Sequence, residues 1–450
     1  MICIFGVNKM QMRNYLNKIT LIWGLLASNI AFTQYLSNAE NLKTFVQKLK
    51  ENKEITQILF LGDSHTQADH LTDYLRNKFQ TKYGNAGRGL VFPYAVANSN
   101  GAEDFTSVSN QTWENFRLVY EQDIFEQMGA SGFVIGNDKD SFLEIRFKNP
   151  QDYFNKVVIF NDAKMENETF HLYASSQSLK DFISKKSERI SYQIQEGETY
   201  PELASKFYTI TTKLTQLNGI AIQTPKAGQW MKADKININY NPAFENHLNL
   251  ISENIFNENR TEIDFSAPQS YLLFRTNASK GNVFYGFQFL NDKKNGVIFN
   301  TVGVNGATYS DFLKYPLQTQ HLKSIKPDIL IVALGTNESL SHISKEEFQN
   351  KVRRMIETWQ EKSLPILLIS PTDNKLKSQK VKEIATWTRE ISMEKNVAFL
   401  DLHTAMGGVG YFRKALQRKE ANADGVHFLK SGYEKQAEII WREMEKLICQ

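Results

Sequence analysis

The sequence predicts an α/β fold in which a parallel sheet flanked by helices is interrupted by a β-sandwich-like module. Three observations lead there. The apolar run Ile58-Leu59-Phe60-Leu61 reads as a buried strand that ends at Gly62-Asp63-Ser64-His65, with a helical stretch from Asp69 to Tyr83 behind it. After residue 296, strand-like runs alternate with helical stretches at the spacing of a helix-covered parallel sheet. From about residue 101 to 295 the runs are short, alternating and bounded by Asn, Asp and Gly, as antiparallel strands are.

Taken in order, the basic residues Arg13 and Lys18 precede the apolar stretch Ile19 to Phe32, and polar Thr33-Gln34 follows. That stretch is short for a membrane span and reads as a signal peptide over 1–34, cleaved near Gln34, with Met10 or Met12 as alternative starts. An uncleaved membrane anchor is the competing reading. Asn38 to Lys50 forms a helix leading into the Ile58–Leu61 strand. In the middle region Phe142–Phe147, Lys156–Phe160, Thr169–Tyr173, Tyr271–Arg275 and Asn282–Leu290 are the clearest strands. Beyond it come strands at Gly296–Val302, Asp328–Leu334, Leu364–Ser370 and Val397–Leu402, with helices at Lys345–Glu361 and Ser378–Lys395. A last helix, Gly432 to Ile448, packs on the sheet. Active sites of such folds lie beyond the carboxyl ends of the strands, where Ser64 and any partner from the later strands would meet.

At 450 residues the chain is long enough for two or three domains, and a net charge of +4 gives no support for a nucleic-acid partner. Its two cysteines, Cys3 and Cys449, exclude a disulfide framework and a thiolate metal cluster. The histidines lack metal-ligand spacing, so neither metal nor organic cofactor is expected.

The chemistry-bearing residues stand at opposite ends. A serine hydroxyl is a poor nucleophile at neutral pH, and acyl transfer needs an imidazole to take its proton and a carboxylate to orient that imidazole. Ser64 and the segment Asp424-Gly425-Val426-His427 supply these types. Donors for a developing oxyanion are also required, and two candidates lie between: Gly306 in Gly303-Val304-Asn305-Gly306-Ala307-Thr308, and Asn337 in Leu334-Gly335-Thr336-Asn337. Taken singly, each has a plainer reading. Asp63-Ser64 could cap a helix, Asn337 could cap a turn, and Gly306 could permit close backbone packing.

Four blocks in this order resemble the SGNH (GDSL-like) hydrolase family, over roughly residues 55–100 and 296–450. The resemblance implies Ser64 as nucleophile, Asp424 and His427 as its triad partners, and the Ser64 and Gly306 N–H groups with the Asn337 side chain as oxyanion donors. His65 stands where the family name implies leucine, and Thr66-Gln67-Ala68-Asp69 and Gly87-Arg88-Gly89 follow. This version is similar to the branch containing bacterial peptidoglycan O-acetylesterases, in which a β-rich module separates the first two blocks. His65, Asp69 and Arg88 either shape the substrate pocket or hold up the loop.

Within the middle region, residues 190–238 resemble a LysM module, a small βααβ unit that binds N-acetylglucosamine-containing glycans. Gly197-Glu198-Thr199, helical Pro201–Phe207 and Thr211–Leu217, Asn218-Gly219-Ile220 and Gly228-Gln229 carry the likeness, while Trp230 to Asp234 depart from the usual ending. The resemblance implies a sugar groove at Gly197, Glu198, Thr199, Asn218, Gly219 and Ile220.

The expectation is therefore a hydrolase domain in two parts, 35–100 and 296–450, around a carbohydrate-binding-like module at 101–295 that carries the 190–238 unit. It implies an exported bacterial serine esterase, periplasmic or secreted, acting on O-acetyl groups of peptidoglycan or another acetylated polysaccharide. A carbohydrate O-acetyltransferase on the same scaffold and a non-catalytic cell-wall-binding protein are the alternatives.

Overall fold

The computed structural model describes residues 35–119, 127–149, 151–207, 211–219, 225–360 and 364–449. The expected signal peptide, 1–34, lies outside them. Among the described residues no helix is long and apolar enough to cross a membrane.

The first layer system is a six-stranded sheet in the order Leu36–Ser37, Ala398–Leu400, Ile366–Ile369, Ile329–Ala333, Ile55–Gly62, Gly296–Gly303. All neighbours are parallel except the short edge Leu36–Ser37. The first parallel strand, Ile55–Gly62, lies between the second, Gly296–Gly303, and the third, Ile329–Ala333. Strand order therefore reverses at Ile55–Gly62, which is the switch point where open α/β sheets place their ligands. A central strand has helices over both faces, so its sequence is a continuous apolar run and not an alternating one. Ile58, Leu59, Phe60 and Leu61 are accordingly all fully buried, each contributing about 1.5–3 kcal/mol.

The flanking helices show the complementary pattern. Lys345–Trp359 buries Phe348, Val352, Met355, Ile356 and Trp359, one stripe at helical spacing, and Ser344 caps its start by accepting the Glu347 N–H at 3.2 Å. Ser378–Glu394 and Lys430–Cys449 bury similar stripes.

Between the first and second parallel strands the chain builds two antiparallel sheets. One runs Leu248–Ile255, Thr169–Ser175, Tyr271–Thr276, Ser141–Phe147, Phe105–Ser109; the other runs Arg260–Gln269, Phe154–Asn161, Asn282–Leu290, Phe133–Asn137, Glu114–Arg117. Their facing sides share a phenylalanine-rich core, with Phe289 against Phe147 and Phe154 at centroid distances of 4.9 and 4.8 Å. Gly89–Val91, expected in the first part of the hydrolase domain, instead pairs with Asn282–Leu290 as an added strand of this second sheet. The same Asn282–Leu290 strand runs on through a short turn into Gly296–Gly303, so exit from and return to the parallel sheet are fastened side by side.

The 190–238 unit also extends further than expected. Its strands are Ile183–Gln193 and Trp230–Tyr240, paired without interruption from Ile183↔Tyr240 to Gln193↔Trp230. Trp230 to Asp234, which depart from the usual ending of such a module, begin the second strand. Met231 and Ala233 point into a core with Ile194, Leu203, Phe207 and Leu214, while Lys232 between them is exposed. Two helices, Tyr200–Lys206 and Thr211–Leu217, lie between the strands. At the foot of the ribbon Leu179 and Phe244 pack on Phe142 and Leu273 of the first sandwich sheet.

Truncating Phe289 would empty the aromatic centre of the sandwich. Phe289→Ala is expected to cost about 3–5 kcal/mol, read as a lower midpoint of urea unfolding with an unchanged slope.

Candidate active site

Gly62 ends the nucleophile strand, and Asp63 turns the chain into the short helix Ser64–Gln67. The Asp63 carboxylate caps that helix by accepting the His65 N–H at 2.9 Å. The turn is possible because both neighbouring strand ends lack side chains. A Cβ on Gly62 would lie 2.1 Å from Thr66 Oγ1, and one on Gly303 would lie 2.4 Å from the Gln67 backbone nitrogen.

On this platform Ser64 Oγ lies 2.8 Å from His427 Nε2, and His427 Nδ1 lies 2.8 Å from Asp424 Oδ2. The other Asp424 oxygen accepts the N–H groups of Val426 and His427 at 2.8 and 2.9 Å. Burial alone would raise the Asp424 pKa, but these N–H groups and the His427 ring outweigh it and hold the carboxyl below its ordinary value. It therefore stays ionised and fixes the imidazole with Nε2 toward the serine. The site is open: the His427 and Asp424 side chains are 39% and 41% exposed.

Besides the Ser64 N–H, the expected oxyanion donors lie in the segments that follow the two strands flanking Ile55–Gly62. As first residue of its helix, Ser64 has an N–H with no intrahelical acceptor, and neither it nor the Gly306 N–H has a hydrogen-bond partner among the described residues. Gly306 takes φ +87°, a left-handed conformation that glycine adopts without strain. Asn337 Nδ2 donates to the Ala307 carbonyl at 2.8 Å, which braces its side chain against the Gly306 loop and leaves its second N–H hydrogen available.

Gln67 was not foreseen as part of this site. Its buried side chain accepts the Asn305 N–H at 2.7 Å and donates to the Asn100 carbonyl at 2.8 Å and to Ser99 Oγ at 3.0 Å. It thereby ties the nucleophile helix to the Gly306 loop. Its only sequence signal is its position three residues after Ser64, because its partner lies 238 residues away.

The remaining expectations divide. His65 lies against the triad, its ring 5.5 Å from His427 and 5.6 Å from Tyr433, with both ring nitrogens enclosed. Burial lowers its pKa and keeps it neutral. Asp69 and Arg88 join a buried ion network: Asp69 accepts Arg88 at 2.7 Å and Arg76 at 2.8 Å, all three side chains are buried, and Arg88 also pairs with Asp104. Buried charges need such partners, and both residues also line a small cavity with Thr66, Gln67 and Gly303, where Arg88 Nη1 has no hydrogen-bond partner. Asp73 completes an acidic trio with Asp69 and Asp104, which the two guanidinium groups already engage.

In the two-helix unit, Gly197 and Gly219 occupy turns at φ +84° and +62°. The Glu198 carboxylate accepts Tyr192 Oη, Lys206 Nζ and the Gln195 N–H at 2.8, 2.8 and 2.7 Å. The Asn218 side chain bridges Leu214 and Lys232, donating to both carbonyls at 2.8 Å and accepting the Lys232 N–H. These two polar side chains, both partly exposed, hold the unit together. The Thr199 carbonyl accepts the Leu203 N–H at 2.9 Å at the start of the first helix. Ile220 lies outside the described residues.

Residues 276–435 match the GDSL-like Lipase/Acylhydrolase family. No curated protein matches the sequence. Among solved structures the chain is similar to a peptidoglycan O-acetylesterase, with a TM-score of 0.61 and 18% identity over 92% of this chain and 99% of that one. A lipase/acylhydrolase from Enterococcus faecalis matches with a TM-score of 0.29 and 24% identity, over 34% of this chain and 77% of that one. A catalytic mutant of an acetylxylan esterase from Geobacillus stearothermophilus matches with 0.27 and 19%, over 34% and 73%.

Gly303→Ala tests the platform. Its methyl group would displace the backbone of the nucleophile helix, and a shift near 1 Å costs about 10²-fold in a reaction needing alignment. Labelling of Ser64 by a fluorophosphonate probe, scored per folded molecule, should slow by that order.

Proposed function

Since the chain is an SGNH (GDSL-like) carboxylic ester hydrolase, we propose that it removes O-acetyl groups from a cell-wall glycan, most simply peptidoglycan, after export to the cell envelope. The observation that carries this reading is the Ser64–His427–Asp424 alignment, two 2.8 Å contacts linking residues 363 positions apart. Ser64 Oγ attacks the acetyl carbonyl while His427 Nε2 takes its proton, and Asp424 stabilises the imidazolium. The tetrahedral oxyanion is held by the Ser64 and Gly306 N–H groups and the Asn337 side chain. His427 returns the proton to the departing sugar oxygen. Water, activated by the same imidazole, then releases acetate from Ser64.

Two features support a polymeric glycan as substrate. The triad lies on an open surface, which suits an ester carried on a chain too large to be enclosed. A solved structure that matches 92% of this chain is described as a peptidoglycan O-acetylesterase. The two-helix unit is read as a LysM-like anchor that keeps the polymer near Ser64.

Ser64→Ala and His427→Ala should each abolish release of acetate from an acetylated glycan while leaving the fold intact, and the double variant should be no worse than either. Asn337→Ala should lower kcat by about 10²–10³-fold with KM little changed, as expected of a donor used in the transition state. Full turnover by Ser64→Ala would remove the nucleophile assignment. Acetyl transfer to an added glycan in preference to water would make the protein a transferase.

Excising residues 190–238 with a short linker should spare hydrolysis of a small acetyl ester but weaken co-sedimentation with purified peptidoglycan. Only the polymer reaches both sites at once, so attachment acts as raised effective concentration. Equal pelleting of both proteins would deprive the unit of an anchoring role.

A further inference from the structure

A cavity of about 420 Å³ opens between the foot of the Ile183–Gln193 ribbon strand and the segment that leads from the hydrolase domain into the sandwich. Its walls are the loop Tyr94 to Ala102 on one side and Lys180, Ile183 and Lys185 on the other, and its floor is Phe105 to Val108. Four consecutive residues line that floor, as a strand does when it presents its edge, and Phe105–Ser109 is indeed the last strand of its sheet. Such an edge carries backbone N–H and C=O groups that no neighbouring strand takes. Ser107 adds a buried hydroxyl with no hydrogen-bond partner. The loop wall is tied to the catalytic segments: Ser99 and Asn100 accept Gln67 of the nucleophile helix, and Asn100 also accepts the side chain of Asn305, next to Gly306, at 3.0 Å.

Lys180 and Lys185 are the charged residues that line the cavity, and neither has an acidic partner among the described residues. Lys185 Nζ donates to the Ala95 carbonyl in the opposite wall at 3.4 Å, which leaves its other two N–H groups unengaged. Ile183 and Lys185 share one face of their strand, and Lys186 lies on the other. Lys185 is exposed, yet the protein packed around its ammonium lowers its pKa and no carboxylate counters the shift. An edge of untaken backbone groups suits an extended peptide, and two unpaired cations suit carboxylates. In peptidoglycan both belong to one substituent, the short peptide carried by the glycan strand.

We propose that this cavity is a substrate subsite that receives the carboxylate-bearing peptide branch of the glycan, with Lys180 and Lys185 meeting its carboxylates and the Phe105–Val108 edge meeting its backbone. The proposal deepens the reading of the substrate as peptidoglycan and rests on it. Because Ser99 and Asn100 are hydrogen-bonded to the nucleophile helix and the Gly306 loop, a branch seated against them is held in register with Ser64. The enzyme thereby prefers acetyl groups on strands that still carry peptide. A neutral acetylated polysaccharide has no group to place there.

Binding is read by calorimetry in the Ser64→Ala background. The probes are an O-acetylated peptidoglycan fragment with its peptide carboxylates free and the same fragment after those carboxylates are converted to methylamides. The free fragment should bind about tenfold more tightly, the order expected of one charge-assisted contact. Lys185→Met, which keeps the apolar stem, should remove most of that preference, and Lys185→Glu should reverse it. Lys186→Met, which removes the same charge one residue away on the opposite face, should leave it intact. The kcat/KM of the wild type for acetate release should show the same preference. Equal binding of the two fragments, or equal loss from Lys185→Met and Lys186→Met, would overturn the subsite; turnover of a chromogenic acetyl ester by the wild type would then leave the esterase reading standing. A Lys185-dependent preference in a protein that releases acetate from no ester would instead sink the esterase reading and keep the subsite.

Discussion

The contact between Ser64 Oγ and His427 Nε2 sets the requirement that the rest of the structure meets. Proton transfer over 2.8 Å tolerates little displacement, yet its two ends belong to opposite ends of the chain. A parallel sheet solves this geometrically. Ser64 leaves the central strand at its carboxyl end, the Gly306 loop leaves the neighbour on one side, and Asn337 follows the neighbour on the other. Three segments distant in sequence thus emerge from adjacent strands, the outer two each one strand spacing from the central one. Strand pairing at about 4.8 Å provides this precision before any side chain is considered.

That arrangement is kept despite a large insertion between the first and second parallel strands. The insertion leaves and returns beside one edge, and the pairing of Gly89–Val91 with Asn282–Leu290 locks exit to return. Gln67 then connects the nucleophile helix to Asn100, at the start of the insertion, and to Asn305 just after its end. The sandwich is therefore coupled to the catalytic loops through hydrogen bonds of one buried side chain. The buried Asp69–Arg88–Asp104 network lies along the same seam and orients it with charge-assisted bonds.

The front and back of the site have opposite character. In front, the His427 and Asp424 side chains remain more than a third exposed, so their interaction is moderated by water and substrate approach is unhindered. Behind, the side chains of Asp63, Glu338 and Tyr309 are buried, where an unmatched polar group is costly.

The local signals in the sequence determined the parallel core and the presence of a β-rich interruption, and they marked the four segments carrying Ser64, Gly306, Asn337 and His427. Each rests on neighbours within a few residues: an apolar run for the central strand, stripes for the helices, and Asp424 three residues from His427. The likeness to a LysM module left Trp230 to Asp234 as a departure, whereas the structure starts the second ribbon strand there. Only the tertiary structure decided which polar residues pair with which. Asp69 and Arg88 join one ion network, and Glu198 and Asn218 bond within the two-helix unit. Gln67 looked unremarkable, but its contacts join the Ser64–Gln67 helix to Asn100 and Asn305. A side chain's chemistry is written in its own residue, whereas its burial and its partners come from chain segments up to hundreds of positions away, and those are set when the sheet assembles.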